Sequence, residues 1–143
     1  MKMCKFFVGI ITIVLVSGAT AFGQCNTEPL IDKASAKLGD FTFLKSYKID
    51  GNASNEIEYS YVFSKETMYF LAVHDGKDEV PQIEVVLLDN NRKPIATNYD
   101  KKTTKYFPGL AYKCSATGIF YMVFKINSPS SKCAVSVIGF KKS

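Results

Sequence analysis

Ile57, Tyr59, Tyr61 and Phe63 are apolar at every second position, with Glu58, Ser60 and Val62 between them. A period of two is the repeat of an extended strand, whose successive side chains point to opposite faces. Such a run buries one face and wets the other. Phe41, Phe43, Tyr47 and Ile49 alternate in the same way, interrupted by Lys45. Ile83, Val85 and Leu87 do so again, with Val86 and Leu88 thickening the opposite face. Residues 68–73 (MYFLAV) are continuously apolar and predict a central strand; residues 119–126 (IFYMVFKI) are strongly apolar on both faces.

The remaining runs fit the same scheme. Ile95 to Tyr99 predicts a short edge strand, residues 105–114 a strand broken at Pro108-Gly109, and residues 133–140 (CAVSVIGF) a closing strand. Turn residues separate them: Asp50-Gly51-Asn52, Asp75-Gly76, Asp89-Asn90-Asn91, Thr117-Gly118 and Ser128-Pro129-Ser130. These side chains bond their own backbone or tolerate positive φ. The intervals are too short for crossover helices, which excludes parallel α/β units. The expected fold is all-β, an antiparallel jelly-roll-like β-sandwich of about eight strands. One short helix is expected ahead of it, over residues 27–38, with Thr27 as its cap, Gly39 as its stop and a stripe of Leu30, Ile31, Ala34 and Leu38.

The first residues place the protein. Lys2 and Lys5 form a basic head, residues 6–16 are apolar apart from Gly9 and Thr12, and residues 17–21 are small. That is the layout of a secretory signal cleaved near Ala21 to Gly23. The apolar run is too short to span a membrane. Residues 1–23 are therefore expected as signal peptide and 24–143 as one sandwich domain, secreted or periplasmic. A bacterial lipobox wants a small residue directly before its cysteine. Gln24 stands there instead, so lipid anchoring at Cys25 is not expected.

The second half carries a family likeness. Residues 83–91 (IEVVLLDNN) with Pro94-Ile95-Ala96, the Thr117-Gly118-Ile119-Phe120-Tyr121 run and the Tyr69-Phe70 strand resemble segments of bacterial prepeptidase C-terminal domains. The resemblance spans about residues 55–141. It implies a jelly-roll sandwich with a non-catalytic accessory role in exported proteins. The chain also resembles small secreted proteins of the Bacteroidota, a likeness that names no activity.

Charge narrows the partners. The chain carries +5, or +3 once Lys2 and Lys5 are removed, and Arg92 is its one arginine. Nucleic-acid binders rely on arginine for bidentate contacts, so no nucleic acid is expected. Gly-rich phosphate loops are absent and no cofactor is expected. His74 is the single histidine, followed by Asp75, Asp78 and Glu79. These acids are candidate calcium ligands, but they do not follow the EF-hand spacing, and zinc sites combine several His or Cys ligands. A solvated hairpin loop is the plainer reading. A small hydrolase would pair His74 with a neighbouring acid, yet no Gly-x-Ser-x-Gly elbow accompanies it. Tyr59 and Tyr61 share a strand face and are candidate ligand-binding rings, against the plainer reading of core packing with hydroxyls at the rim.

Three cysteines remain after the signal: Cys25, Cys114 and Cys133. The predicted strand 119–126 separates Cys114 from Cys133 by about seven residues, or roughly 23 Å. A disulfide needs Cα atoms within about 7 Å. Cys25 is then the expected partner of one of them, Cys133 ahead of Cys114; a bent strand would restore Cys114–Cys133. The reading that follows is an exported, non-catalytic module for a protein or glycan of the cell envelope. Its alternative is an oligomeric envelope protein without a soluble ligand.

Overall fold

The structure is a computed structural model that describes residues 25–143. The expected signal segment, 1–23, lies outside the described residues. One helix, α1 (Glu28–Ala36), precedes ten strand segments: β1 (Thr42–Asp50), β2 (Glu56–Phe63), β3 (Thr67–His74), β4 (Ile83–Leu88), β5 (Pro94–Thr97), β6 (Tyr99–Asp100), β7 (Lys105–Tyr106), β8 (Gly109–Lys113), β9 (Gly118–Ile126) and β10 (Cys133–Lys142). The sequence pattern predicts about eight. The difference arises where the edge run over 95–99 divides into β5 and β6, and where Pro108 separates β7 from β8.

Two four-stranded antiparallel sheets pack face to face, in the orders β1-β10-β3-β8 and β2-β9-β4-β5; β6 and β7 form a separate hairpin. The alternating residues meet between the sheets. Tyr47 and Ile49, Phe63, Leu71 and Val73, Val85 and Leu87, and Met122 and Phe124 form one buried cluster. Phe63 stacks on Tyr69 at 4.0 Å between centroids and on Phe120 at 4.8 Å, joining both sheets through three rings. Aromatic pairs at such separations add to the area they bury.

Lys45 breaks the alternation of β1 for a visible reason. The register of β1 against β10 shifts between Phe43 and Lys45, leaving Leu44 as an extra residue. Leu44 packs against the core, and the Lys45 ammonium lies over the Tyr47 ring at 5.1 Å. The bulge moves the apolar side chain inward and lets the cation stay in water.

The stripe of α1 lies on the outer face of the first sheet. Ala34 and Leu38 are buried there with Ala72, Val135 and Val137, flanked by Leu30 and Ile31. The close approach needs Gly139, where a Cβ would stand 2.9 Å from Phe41 and 3.0 Å from Leu38. Gly39 ends the helical turn at φ 60°. The start differs from expectation. Thr27 has helical dihedrals and makes no side-chain cap bond. Asn26 Oδ1 instead accepts from the Glu28 N–H at 3.3 Å.

Cys25 and Cys133 form a disulfide, with Cα atoms 5.1 Å apart and a separation of 108 positions along the chain. It ties the segment leading into α1 to the first residue of β10. Cys114 is free and buried. Its N–H bonds Thr67 O, beside the far end of β10, where Lys142 pairs with Thr67.

Candidate functional site

Two regions hold the residues with chemistry to offer. The first is the exit of β3. His74 pairs with Val135 of β10 and is 7% exposed. Neither ring nitrogen has a hydrogen-bond partner. Burial lowers its pKa, and the charge of Lys37 acts in the same sense; Asp75 opposes them, Lys33 adds to the lowering, and Asp78 opposes it. Asp75, the acid that metal or hydrolytic chemistry would pair with His74, is occupied. Its Oδ2 accepts from Ser131 Oγ at 2.9 Å and its Oδ1 from the Lys77 N–H at 3.1 Å. It thereby fastens the 3₁₀ turn Pro129–Ser131 to the end of β3. Asp78 and Glu79 are exposed. Among the described residues, no three His, Cys, Asp or Glu side chains gather where they could hold a metal ion.

The second region is the outer face and free edge of the sheet β2-β9-β4-β5. On the other sheet α1 lies against β10 and β3; on this one an aliphatic pair of the outer face stays open to solvent. Val62 of β2 and Ile119 of β9 stand opposite each other in register and are 55% and 48% exposed. Together with Ser60 and Tyr61 they line a shallow depression of about 430 Å³. Around the edge, Leu44, Tyr61, Val62, Tyr69 and Phe140 contribute to a groove of about 350 Å³ where the two sheets part.

A charged clamp borders the patch. In the turn after β4, Asp89 Oδ1 accepts from the N–H groups of Asn91 and Lys93, both at 2.9 Å. This winds the chain so that Arg92, at φ 63°, points back over the sheet. Its guanidinium lies 4.5 Å from the Tyr121 ring centroid and donates to both carboxylate oxygens of Glu58, at 3.1 and 2.6 Å. The hydrogen bond from Arg92 holds the Glu58 carboxyl below its usual pKa range.

The two candidate tyrosines have different fates. Tyr59 donates its hydroxyl to Lys48 O at 2.6 Å and packs its ring on Tyr47 at 4.7 Å. It closes the side of the sandwich. Tyr47 lies deeper, and burial pushes its pKa up to about 12. Tyr61 is half-buried and lines both the depression and the groove.

The clamp and the Val62/Ile119 pair are not evident from motifs. Their signals are a lone arginine inside an Asp-Asn-Asn turn and two apolar residues at solvent-facing strand positions. Both become informative only when β2, β9 and β4 are placed side by side.

No family model matches the chain, and no curated protein matches it. Among solved structures it is similar to Aeromonas hydrophila PliG, a periplasmic lysozyme inhibitor of g-type lysozyme. The TM-score is 0.45 with 10% identity, covering 71% of this chain and 89% of that one.

Proposed function

We propose that this chain is an exported, non-catalytic module that binds a protein of the cell envelope through the outer face of the sheet β2-β9-β4-β5. The observation that carries this is the exposed aliphatic pair on one sheet, where α1 packs on the other. Val62 and Ile119 stand side by side in water beside the Glu58–Arg92 pair. Adjoining aliphatic groups with a charged border suit the apolar centre and polar rim of a protein interface. A glycan platform would want an open aromatic face, and Tyr59 spends its ring and hydroxyl on packing.

Export is supported by the signal-like first residues and by the Cys25–Cys133 disulfide, which persists in oxidising compartments. No helix among the described residues is long and apolar enough to cross a membrane. The strand order also supports reading the sandwich as a jelly roll, the architecture implied by the resemblance to prepeptidase C-terminal domains. Consecutive strands β1 to β4 alternate between the sheets, and β9 and β10 each insert beside the first strands.

The test is capture from an envelope extract followed by calorimetry with the purified partner. A partner bound by the native chain and lost with Ile119→Glu supports the reading. Binding that ignores Ile119→Glu, or saturable binding to an envelope glycan in its place, overturns it.

A further inference from the structure

We propose that β2 is the pairing strand of a twofold dimer, joining a second copy of this chain edge to edge and antiparallel about Ser60. This goes beyond the binding reading, and neither depends on the other.

Edge strands expose unpaired backbone groups, and natural proteins shield them with bulges, prolines, lysines or short length. Among the described residues, three of the four sandwich edges have such shielding. β1 carries the Leu44 bulge with Lys45 and Lys48. β5 has four residues, begins at Pro94 and has its own register shift. β8 has five residues and follows Pro108. β2 has eight residues with an unbroken register and no proline or lysine.

The open groups can be assigned. The Ile126 N–H donates to Asn55 O at 2.8 Å, which makes these residues a hydrogen-bonded pair. Antiparallel alternation then directs the backbone groups of Ile57, Tyr59, Tyr61 and Phe63 to β9, and those of Glu56, Glu58, Ser60 and Val62 outward. The ends of this outward row are already satisfied. Ser54 Oγ donates to Glu56 O at 2.8 Å and accepts from the Glu56 N–H at 3.2 Å. The Ser64 N–H donates to Tyr69 Oη at 2.8 Å. Between those caps, Glu58, Ser60 and Val62 have no described partner.

A second copy fits this row. Antiparallel pairing centred on Ser60 sets Ser60 against its own copy and Glu58 against Val62, so every open N–H and C=O meets its complement. Tyr59 then faces Tyr61 of the other copy at non-hydrogen-bonded positions, where aromatic cross-strand pairs are favourable. Charge selects the same direction. The acids Glu56 and Glu58 fall in the first half of β2, and Lys65 follows its end. Antiparallel pairing sets each acidic half beside the other copy's uncharged half, whereas parallel pairing stacks Glu58 on Glu58. The product is one eight-stranded sheet, β5-β4-β9-β2-β2-β9-β4-β5, on which the two Val62/Ile119 patches adjoin.

The test is sedimentation of the purified protein with two variants. Ser60→Pro removes an outward N–H that β9 does not use, so the circular dichroism should stay that of the folded sandwich, while the melting midpoint should fall to that of the monomer and lose its dependence on protein concentration. The native chain is expected at twice the chain mass and Ser60→Pro at the chain mass. Ser60→Cys should form a covalent dimer on oxidation, because Cα atoms of a hydrogen-bonded pair lie about 5.5 Å apart. Val62→Cys should not. A native chain that stays monomeric, a dimer that survives Ser60→Pro, cross-linking through Val62→Cys rather than Ser60→Cys, or β2 pairing only with a different protein overturns the proposal.

Discussion

Arg92 and Glu58 lie 34 residues apart in the chain, yet their side chains are joined by two hydrogen bonds across strand β9, over the ring of Tyr121. The pair links the turn after β4 to the edge strand β2. It borders the exposed Val62/Ile119 pair on the outer face of their sheet.

Removing Arg92 should therefore change the titration of Glu58 without disturbing the fold. The native carboxyl is held below its ordinary value of 4.5, chiefly by the hydrogen bond from Arg92. A depressed folded pKa contributes stability that is present above 4.5 and lost as pH falls through the folded value. Carboxyl titration by NMR should find the Glu58 midpoint higher in Arg92→Ala than in the native chain. An unchanged midpoint would show that the clamp does not form in solution.

His74 should make the protein less stable in mild acid. Its folded pKa lies below the ordinary 6.5 because the ring is buried near Lys37 and Lys33, against the opposing charges of Asp75 and Asp78. As pH falls, the unfolded chain takes up the proton first. The stability contributed by the neutral ring is complete above 6.5 and is lost as pH falls from there through the lowered folded value. Urea midpoints measured on either side of pH 6.5 should differ in the native chain and converge in His74→Leu.

Reduction of the Cys25–Cys133 bridge should cost about 2–4 kcal/mol, since the bond closes a long loop and restricts the unfolded chain. Because the bridge fastens the lead-in to α1, the outer face of the first sheet should open first. Hydrogen exchange in the reduced protein is expected to speed up at Ala72 and Val137 before it does so at Phe124.

Asn98 should be among the least replaceable polar residues. It is 2% exposed, accepts from the Val85 N–H at 2.6 Å, and donates to Ile83 O and Phe107 O at 3.0 and 2.9 Å. Asn98→Leu leaves those backbone groups without partners and should destabilise by about 3 kcal/mol, read from the shift in the urea midpoint. Asn98 also shows why the run over 95–99 divides. Its side chain substitutes for a ladder at the edge of β4, so β5 stops at Thr97.

Much of the architecture was legible. Ile57, Tyr59, Tyr61 and Phe63 face inward as their alternation requires, and 68–73 is a central strand because β10 and β8 flank it. The two-sided apolarity of residues 133–140 has a cause no strand pattern states: α1 covers the outer face of β10. Thr27 misled because capping depends on backbone conformation as well as residue type. At the candidate site, Tyr61 could be placed on a strand face, but the roles of Val62, Ile119 and Arg92 depend on neighbours far along the chain.

The sequence by itself determined which residues face inward, because alternation along a strand follows from covalent geometry that each segment carries alone. Only the tertiary structure decided that β2 lies at an edge, which sheet carries α1 and which charges meet. Those outcomes depend on hydrogen bonds and packing between segments tens of residues apart. β2 alternates while β9 is apolar on both faces, but only their pairing leaves β9 flanked on both sides and β2 on one, with the outward backbone groups of Ser60 unpaired.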